Sequence, residues 1–253
     1  MSIRLLRRPE LQPSRWHGPA FQRVCFALAV FAGTVLSIAS GSMPASPSYS
    51  PSPSDLSAPV QEYVDRLQAS YHDVKTLRAE FVQTFISGGR TRVESGTVYF
   101  ARGGRMRWDY REPQEKLFLS DGKKLMLYVP EEKQLTRSPA KSSEDARVPF
   151  RLLLSHLNLR RVFGRIEFAD QTIKRQPGDE VLRALPKHED EDGYHEVFLE
   201  LTQAFDIHRL VIRYADQSSM EFSFTQIVRN VKLDPTLFRF NPPAGTEIIN
   251  QAE

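Results

Sequence analysis

The segment Arg105-Met106-Arg107-Trp108-Asp109-Tyr110-Arg111 alternates strictly between apolar and charged side chains. Because successive side chains of a β-strand point to opposite faces, Met106, Trp108 and Tyr110 share one face and the four charged residues share the other. This pattern is typical of an antiparallel sheet with one buried face and one face in water. We therefore predict a fold built around a one-sided sheet.

Further segments with a two-residue period lie on both sides of this strand. β-branched and aromatic residues dominate for about 60 residues from Ala79 onward, as expected of strands. The dipeptide Asp121-Gly122 between two apolar segments predicts a hairpin turn. After Gly164 the alternation returns, and it predicts strands over residues 165–169, 178–185, 194–201, 207–214, 220–228 and 238–240.

Two amphipathic helices accompany the strands. The first begins at Pro59, which the first turn of a helix tolerates. Its apolar side chains recur every three or four residues, at Val60, Val64, Leu67, Tyr71 and Val74. The second is predicted over 148–157 by the spacing of Phe150, Leu153, Leu154 and Leu157. The fold class is therefore mainly β (α+β), a large and strongly curved antiparallel sheet with helices on one side.

The N-terminal 39 residues have the composition of an export signal. Five arginines precede the uncharged segment 24–39 (VCFALAVFAGTVLSIA). This segment is shorter than the ~20 residues that span a bilayer, so we predict a cleaved signal peptide over 1–39. An uncleaved membrane anchor is the alternative. Residues 40–58 are rich in Ser and Pro and are interpreted as a flexible linker, with a single domain over 59–253.

Charge and cysteine usage exclude several classes of protein. The whole chain has a net charge of +3, but residues 1–39 hold five of its 34 basic and one of its 31 acidic residues. The remainder is close to neutral, which gives no support for nucleic-acid binding. The single cysteine, Cys25, lies in the predicted signal peptide. An exported product would have no disulfide, no cysteine nucleophile and no acylated cysteine at its start.

The sequence contains no motif of a common enzyme class. Nucleophile elbows, dinucleotide-binding turns, P-loops and paired zinc-binding histidines are all missing. His188 and His195 flank an acidic segment that could bind a metal, but a solvated hairpin tip explains them more simply. Asp109 and Glu112 could form a carboxylate pair, but their strand face favours ion pairs with Arg107 and Arg111. We predict no enzymatic activity, no cofactor and no metal.

Taken in order, several segments resemble the LolA family of outer-membrane lipoprotein carriers. The resemblance covers about residues 60–250 and depends on the order and spacing of its parts. They are 77–84 (LRAEFVQT), 94–98 (ESGTV), 105–113 (RMRWDYREP), 119–123 (LSDGK), 149–154 (PFRLLL) and 234–246 (DPTLFRFNPPAGT). The resemblance implies an incompletely closed antiparallel barrel, with an α-helical lid over an apolar cavity that accepts acyl chains.

The resemblance also implies roles for particular residues. Strand parity puts Met106, Trp108 and Tyr110 on one apolar face, and the resemblance turns that face towards the cavity. Phe81 and Phe85 share a face of the preceding strand and are further candidates for the wall. For all five residues, ordinary core packing under the helices is the alternative.

The proposed lid and its latch come from the same resemblance. Phe150, Leu153 and Leu154 would form the underside of the lid, unless that helix is fixed permanently on the sheet. Arg102 aligns with an arginine that holds the lid in the family, and a guanidinium can bond several carbonyl groups at a helix end. A solvated arginine at a strand end is the alternative.

The function implied by the resemblance is transport of lipoproteins through the periplasm. A monomeric carrier would take acylated lipoproteins from an inner-membrane ABC transporter of the LolCDE type and pass them to an outer-membrane acceptor of the LolB type. Two alternatives stay open. One is a LolA-like module that senses lipids or lipoproteins or exports other lipids, and the other is an exported lipid-modifying enzyme.

Overall fold

The computed structural model describes residues 58–139, 159–187 and 193–251, which all belong to one compact unit of the chain. Helix α1 (Ala58–His72) precedes the sheet, and the four-residue helix α2 (Leu159–Val162) follows its first half. The strands are β1 (Thr76–Ser87), β2 (Arg90–Ala101), β3 (Arg105–Glu112), β4 (Lys116–Asp121), β5 (Lys124–Val129), β6 (Gln134–Pro139), β7 (Phe163–Phe168), β8 (Glu180–Pro186), β9 (Tyr194–Leu201), β10 (Ile207–Tyr214), β11 (Ser219–Arg229) and β12 (Glu247–Asn250).

These strands form one open sheet in the order β12-β6-β5-β4-β3-β2-β1-β11-β10-β9-β8-β7. Neighbouring strands are antiparallel, except that β12 runs parallel to β6. The end strands β12 and β7 do not pair with each other, so the sheet is not closed. The predicted fold, mainly β with an incompletely closed antiparallel sheet, is confirmed.

Cross-strand register keeps the apolar residues of adjacent strands on one face. Trp108 lies opposite Val98 of β2 and Phe118 of β4, and Phe81 of β1 lies opposite Phe224 of β11. Because the side-chain period of a strand is two, a slip by one residue would move all these groups into water. Burial of this face therefore determines the register.

The sheet curls strongly around this apolar face. Strands β3 and β11 are three steps apart in the sheet, which in a flat sheet would separate them by about 14 Å. The rings of Trp108 and Phe222, one on each of these strands, have centroids only 5.4 Å apart. Such an approach requires curvature, and we call the enclosed side the concave face.

Helix α1 covers part of the concave face. Its buried residues are Val60, Val64, Leu67 and Tyr71, which are four of the five in the predicted stripe. The fifth, Val74, lies beyond the end of the helix and is half-buried. All four buried residues belong to the main hydrophobic cluster together with residues of the sheet. Helix formation and burial of this stripe therefore occur together, as is usual for a short helix in water.

The predicted hairpin at Asp121-Gly122 is confirmed, and β4 and β5 pair antiparallel across it. Gly122 has a φ of +94°, and a side chain there would overlap the carbonyl oxygen of Gly103. Glycine is required at this turn for both reasons. The strands predicted after Gly164 are also present, with the exception of residues 238–240.

The prediction of a strand over 238–240 is wrong. A 3-10 helix spans Pro235–Phe238, and the side chain of Asp234 caps it by accepting a hydrogen bond from the backbone N–H of Thr236. Proline and the local cap favour a turn over a ladder of backbone hydrogen bonds. The C-terminal segment does form one strand, β12, which pairs with β6. Its four residues are too few for an alternating pattern to be recognised from the sequence.

Several predictions fall on residues that the structure does not describe. These are the signal peptide (1–39), the linker (40–58) apart from Ala58, the helix over 148–157 and the side chain of His188. The described chain resumes at Leu159, which is fully buried in the main cluster. Its backbone N–H donates to Oε1 of Gln68 on α1, at 3.1 Å.

Candidate functional site

A layer of aromatic rings lies at the centre of the concave face. Trp108 is 0% exposed, and its ring meets Phe81 at 4.8 Å and Phe100 at 5.6 Å between centroids. Phe222 and Phe224 of β11 approach the same indole at 5.4 and 6.3 Å. We call these five rings the ring layer. Their tilted and edge-to-face geometries are those that aromatic pairs favour.

The five predicted wall residues occupy the same face at different depths. Phe81, Met106 and Trp108 are buried, whereas Tyr110 and Phe85 are half-buried. Tyr110 packs edge-to-face on Phe81 at 5.0 Å and so borders the ring layer. Phe85 lies four residues beyond Phe81 along β1, opposite Met220 of β11. The structure thus brings four of the five together and places Phe85 beyond them.

Three members of the ring layer, Phe100, Phe222 and Phe224, are not among the predicted wall residues. Each lies in a strand with alternating apolar residues, so parity could have assigned them to a buried face. The sequences of these strands do not indicate that their buried face is the face on which Trp108 lies. That contact depends on the order of strands and on the curvature of the sheet.

One small cavity borders the ring layer in the described part of the chain. A cavity of about 10 Å³ lies between the end of α1 and the sheet, which is about the volume that one water needs. Its lining residues are Tyr71, Leu77, Ala79, Phe100, Ile207, Phe224 and Ile227. An acyl chain cannot enter here unless the surrounding elements move.

Arg102 holds the C-terminal end of α1 to the sheet. Its guanidinium donates hydrogen bonds to the carbonyl oxygens of Val74, at 3.2 Å, and of His72. Its backbone N–H donates to the carbonyl oxygen of Lys75 at 3.1 Å. A cation at this end also complements the helix dipole. The contacts are of the kind expected of a latch, but they reach α1, and the predicted lid residues Phe150, Leu153 and Leu154 lie outside the described part of the chain.

Arg229 approaches the same end of α1 from β11, and the sequence analysis did not identify it. It donates to the carbonyl oxygens of Ser70 at 3.2 Å and Phe205 at 2.8 Å, and it forms an ion pair with Asp206 at 2.7 Å. Its guanidinium also lies 4.5 Å from the ring centroid of Tyr71. We call Arg102 and Arg229 the C-terminal clamp, because both attach the last turn of α1 to the sheet.

Tyr71 contributes to the same attachment from within α1. Its hydroxyl oxygen accepts a hydrogen bond from the backbone N–H of Ile207 at 3.3 Å. Burial of the phenol raises the pKa of Tyr71 above its ordinary value, and the nearby Arg229 opposes this shift. The tyrosine therefore stays neutral and remains part of the apolar stripe.

Loss of one arginine of the clamp is expected to loosen α1. Hydrogen bonds from a charged donor stabilise by about 1.5–3 kcal/mol. We therefore expect Arg229→Met to accelerate amide hydrogen exchange in α1 about tenfold or more, with smaller changes in the central strands. Hydrogen exchange followed by mass spectrometry measures this effect directly.

Arg213→Met is the matched control for this prediction. Arg213 also forms an ion pair, with Glu196 at 2.7 Å, and it packs on the ring of Phe198 at 4.8 Å. These contacts lie on the opposite, convex face of the sheet, away from α1. Unchanged exchange of α1 in the Arg229 variant, or equal acceleration in both variants, would contradict the clamp.

The convex face carries buried ion pairs as well as smaller apolar clusters. Glu200 is 1% exposed and accepts hydrogen bonds from Nε of Arg209 at 2.7 Å and from two backbone N–H groups, of Arg175 and Gln176. Desolvation raises the pKa of Glu200, but these hydrogen bonds outweigh it and hold the pKa below its ordinary value. The carboxylate is therefore charged, and its role is structural.

The other candidates for chemistry also have structural partners. Asp109 forms an ion pair with Arg107 at 2.8 Å, while Arg111 pairs across β2 with Glu80 of β1. Among the described residues, no three His, Cys, Asp or Glu side chains come together as a metal site would require. Within the same residues, none of the helices has the length and apolar composition of a membrane span.

These features define a class: a mainly β protein in which a curved open sheet and a clamped helix enclose a layer of aromatic rings. Residues 72–241 match the family model of "Outer membrane lipoprotein carrier protein LolA". The chain belongs to the LolA family of lipoprotein carriers.

Two sequence relatives agree with this assignment. An outer-membrane lipoprotein carrier protein of Chromobacterium violaceum is 32% identical over 200 residues, which cover 77% of this chain and 91% of that protein. One from Nitrosospira multiformis is 28% identical over 190 residues, covering 74% and 88%. A crystal structure of a LolA superfamily protein from Nitrosomonas europaea superposes with a TM-score of 0.41 at 10% identity, over 72% of this chain and 97% of that one.

Proposed function

We propose that the protein is a monomeric periplasmic carrier of acylated lipoproteins. It takes them from an inner-membrane ABC transporter of the LolCDE type and delivers them to an outer-membrane acceptor of the LolB type, with residues 1–39 as its export signal. The observation that carries this proposal is the ring layer around Trp108, enclosed by a curved sheet in a member of the LolA family. The carrier needs no cofactor, metal or catalytic residue.

Uptake requires the closed interior to open. The cavity of about 10 Å³ beside the ring layer is far smaller than an acyl chain, so chains enter only as elements over the concave face move away. The clamp attaches the C-terminal end of α1 to the sheet. In the opened carrier, the wall consists of Phe81, Phe85, Met106, Trp108 and Tyr110, the lid of Phe150, Leu153 and Leu154, and the latch of Arg102.

The energetics of delivery limit how completely the chains are enclosed. Each buried methylene contributes about 0.8 kcal/mol, so full burial of several long chains would exceed the ceiling of about 18–21 kcal/mol for non-covalent binding. A carrier that tight could not release its cargo. Closing of the ring layer after release returns part of the binding energy and so favours delivery.

Native mass spectrometry tests this proposal. The exported protein is incubated with membrane vesicles that contain the donor transporter and an acylated lipoprotein, with and without ATP. We expect a one-to-one complex with the intact lipoprotein that forms only with ATP. A lipoprotein that lacks its acyl chains is the matched control and should give no complex.

The other outcomes identify the alternatives. Free lipid bound without ATP would contradict the carrier and favour a module that senses or exports lipids. Recovery of deacylated cargo would contradict it in favour of an enzyme. No complex under any condition would also overturn the proposal.

A further inference from the structure

A row of polar side chains crosses the concave face beside the ring layer. Gln83 and Glu94 lie opposite each other on β1 and β2, and Tyr110 and Lys116 lie opposite each other on β3 and β4. The hydroxyl of Tyr110 donates to Oε1 of Gln83 at 2.8 Å, and Nζ of Lys116 donates to Oε1 of Glu94 at 2.6 Å. We call these four residues the polar row.

The polar row directly adjoins the apolar interior. Nζ of Lys116 lies 4.2 Å from the ring centroid of Tyr110, and the same ring packs edge-to-face on Phe81 of the ring layer. Along β1, Gln83 is two residues beyond Phe81 in the direction of the β1–β2 turn. The row is thus at the end of the strands away from the C-terminal clamp.

Glu94 has an unused hydrogen-bonding atom. Its residue is 5% exposed, and both of its cationic partners, Lys116 and Arg92 at 2.8 Å, contact the same oxygen, Oε1. The second oxygen, Oε2, is buried and accepts no hydrogen bond from any described residue. Buried carboxylate oxygens without a donor are rare in native proteins because their desolvation is not compensated. A donor from a bound ligand would compensate it.

We propose that Glu94 binds the polar head of the acylated ligand by accepting a hydrogen bond at Oε2 from an amide N–H. This inference deepens the proposed function and depends on it. The N-acylated end of a lipoprotein has acyl chains next to amide N–H groups and ester carbonyls. With the chains against Phe81 and Trp108, the amide meets Glu94, and the adjacent Lys116 ammonium faces the ester carbonyl groups.

The polar row therefore distinguishes lipoproteins from simpler lipids. A diester lipid without an N–H group fills the same apolar interior but leaves Oε2 of Glu94 without a donor. Selectivity of this kind follows from the cost of an unpaired buried polar atom in the wrong complex.

The test compares two probes that differ only in the N–H donor. One is a short triacylated cysteinyl peptide, and the other is the same peptide with its N-acyl amide and following peptide groups N-methylated. Trp16 and Trp108 are the two tryptophans of the chain. In a full-length Trp16→Phe background, the tryptophan fluorescence comes only from Trp108 in the ring layer. Titration of its fluorescence gives the dissociation constant of each probe.

We expect the unmethylated peptide to bind about tenfold more tightly than the methylated one, and we expect Glu94→Gln to remove this preference. Glutamine keeps the volume of the side chain, but it presents the ligand with an amide N–H donor or with an amide oxygen that accepts more weakly than a carboxylate. Glu80→Gln is the matched control, because Glu80 is a carboxylate of the same sheet, paired with Arg78 and Arg111 on the convex face. It should retain the preference.

Each remaining outcome separates the inference from the function on which it depends. Equal binding of both probes by the parent protein overturns the role of Glu94 and leaves the proposed carrier function standing. This comparison uses no Glu94 variant, so it does not depend on whether such a variant folds. A preference that survives Glu94→Gln also overturns it. Binding of neither probe would overturn the proposed function itself.

Discussion

Trp108→Ala is expected to lower the free energy of unfolding by about 3–5 kcal/mol. The indole is 0% exposed and lies against the other rings of the ring layer, which come from β1, β2 and β11. Its removal leaves a cavity that the curved sheet can fill only by changing its curvature. Urea unfolding followed by far-UV circular dichroism measures the loss, since the variant has no indole in the ring layer.

Phe168→Ala is the control for this loss. Phe168 is also aromatic and also makes a ring contact, with Tyr63 at 5.4 Å, but it is 37% exposed on the edge strand β7. Its removal should cost only about 1 kcal/mol. If Trp108→Ala lost no more stability than Phe168→Ala, Trp108 would face an open, hydrated interior in solution. That result would contradict the closed ring layer.

Gly96→Ala is expected to destabilise the protein by about 3 kcal/mol, although it adds only one methyl group. A Cβ at this position would overlap the backbone carbonyl oxygen of Asp109 on β3 and lie 3.0 Å from Cε1 of Phe81. The first neighbour is backbone and cannot rotate away, so β2 and β3 must separate. The second neighbour is a member of the ring layer, so the damage extends to the candidate site.

Gly164→Ala provides the matched comparison, because Gly164 is also a glycine within a strand. A Cβ there would meet its nearest neighbours, atoms of Lys187 and Pro186, at 3.4 Å, an ordinary contact distance. We expect a change within about 0.5 kcal/mol of zero. Thermal unfolding of both variants checks the pair, and equal stability would contradict the close approach of β2 and β3 at Gly96.

The candidate site could be predicted only in part. Parity places Met106, Trp108 and Tyr110 on one face because alternation is visible within a single strand. The role of Arg102 came from a family resemblance, and the structure places it at the end of α1. Arg229, which completes the clamp, lies in a strand whose pattern indicates nothing about its partners.

The polar row shows the same limit in another form. Along the chain, Glu94 and Lys116 are separated by 22 residues and each resembles an ordinary charged residue of a strand. Only the pairing of β3 with β2 on one side and with β4 on the other brings them together beside Tyr110. Their burial, and the unused oxygen of Glu94, are properties of the folded sheet.

The amino-acid pattern alone determined the mainly β class, the stripe of α1, most strand positions and the hairpin at Asp121-Gly122, because each depends on residues close together in the chain. Tertiary structure decided which strands meet across the concave face. The rings of Trp108 and Phe222 touch because the sheet curls. Arg229 reaches Ser70, at a separation of 159 residues, because β11 pairs with β1, the strand that follows α1. Curvature is a collective result of twist and packing over many strands, and no local periodicity encodes it.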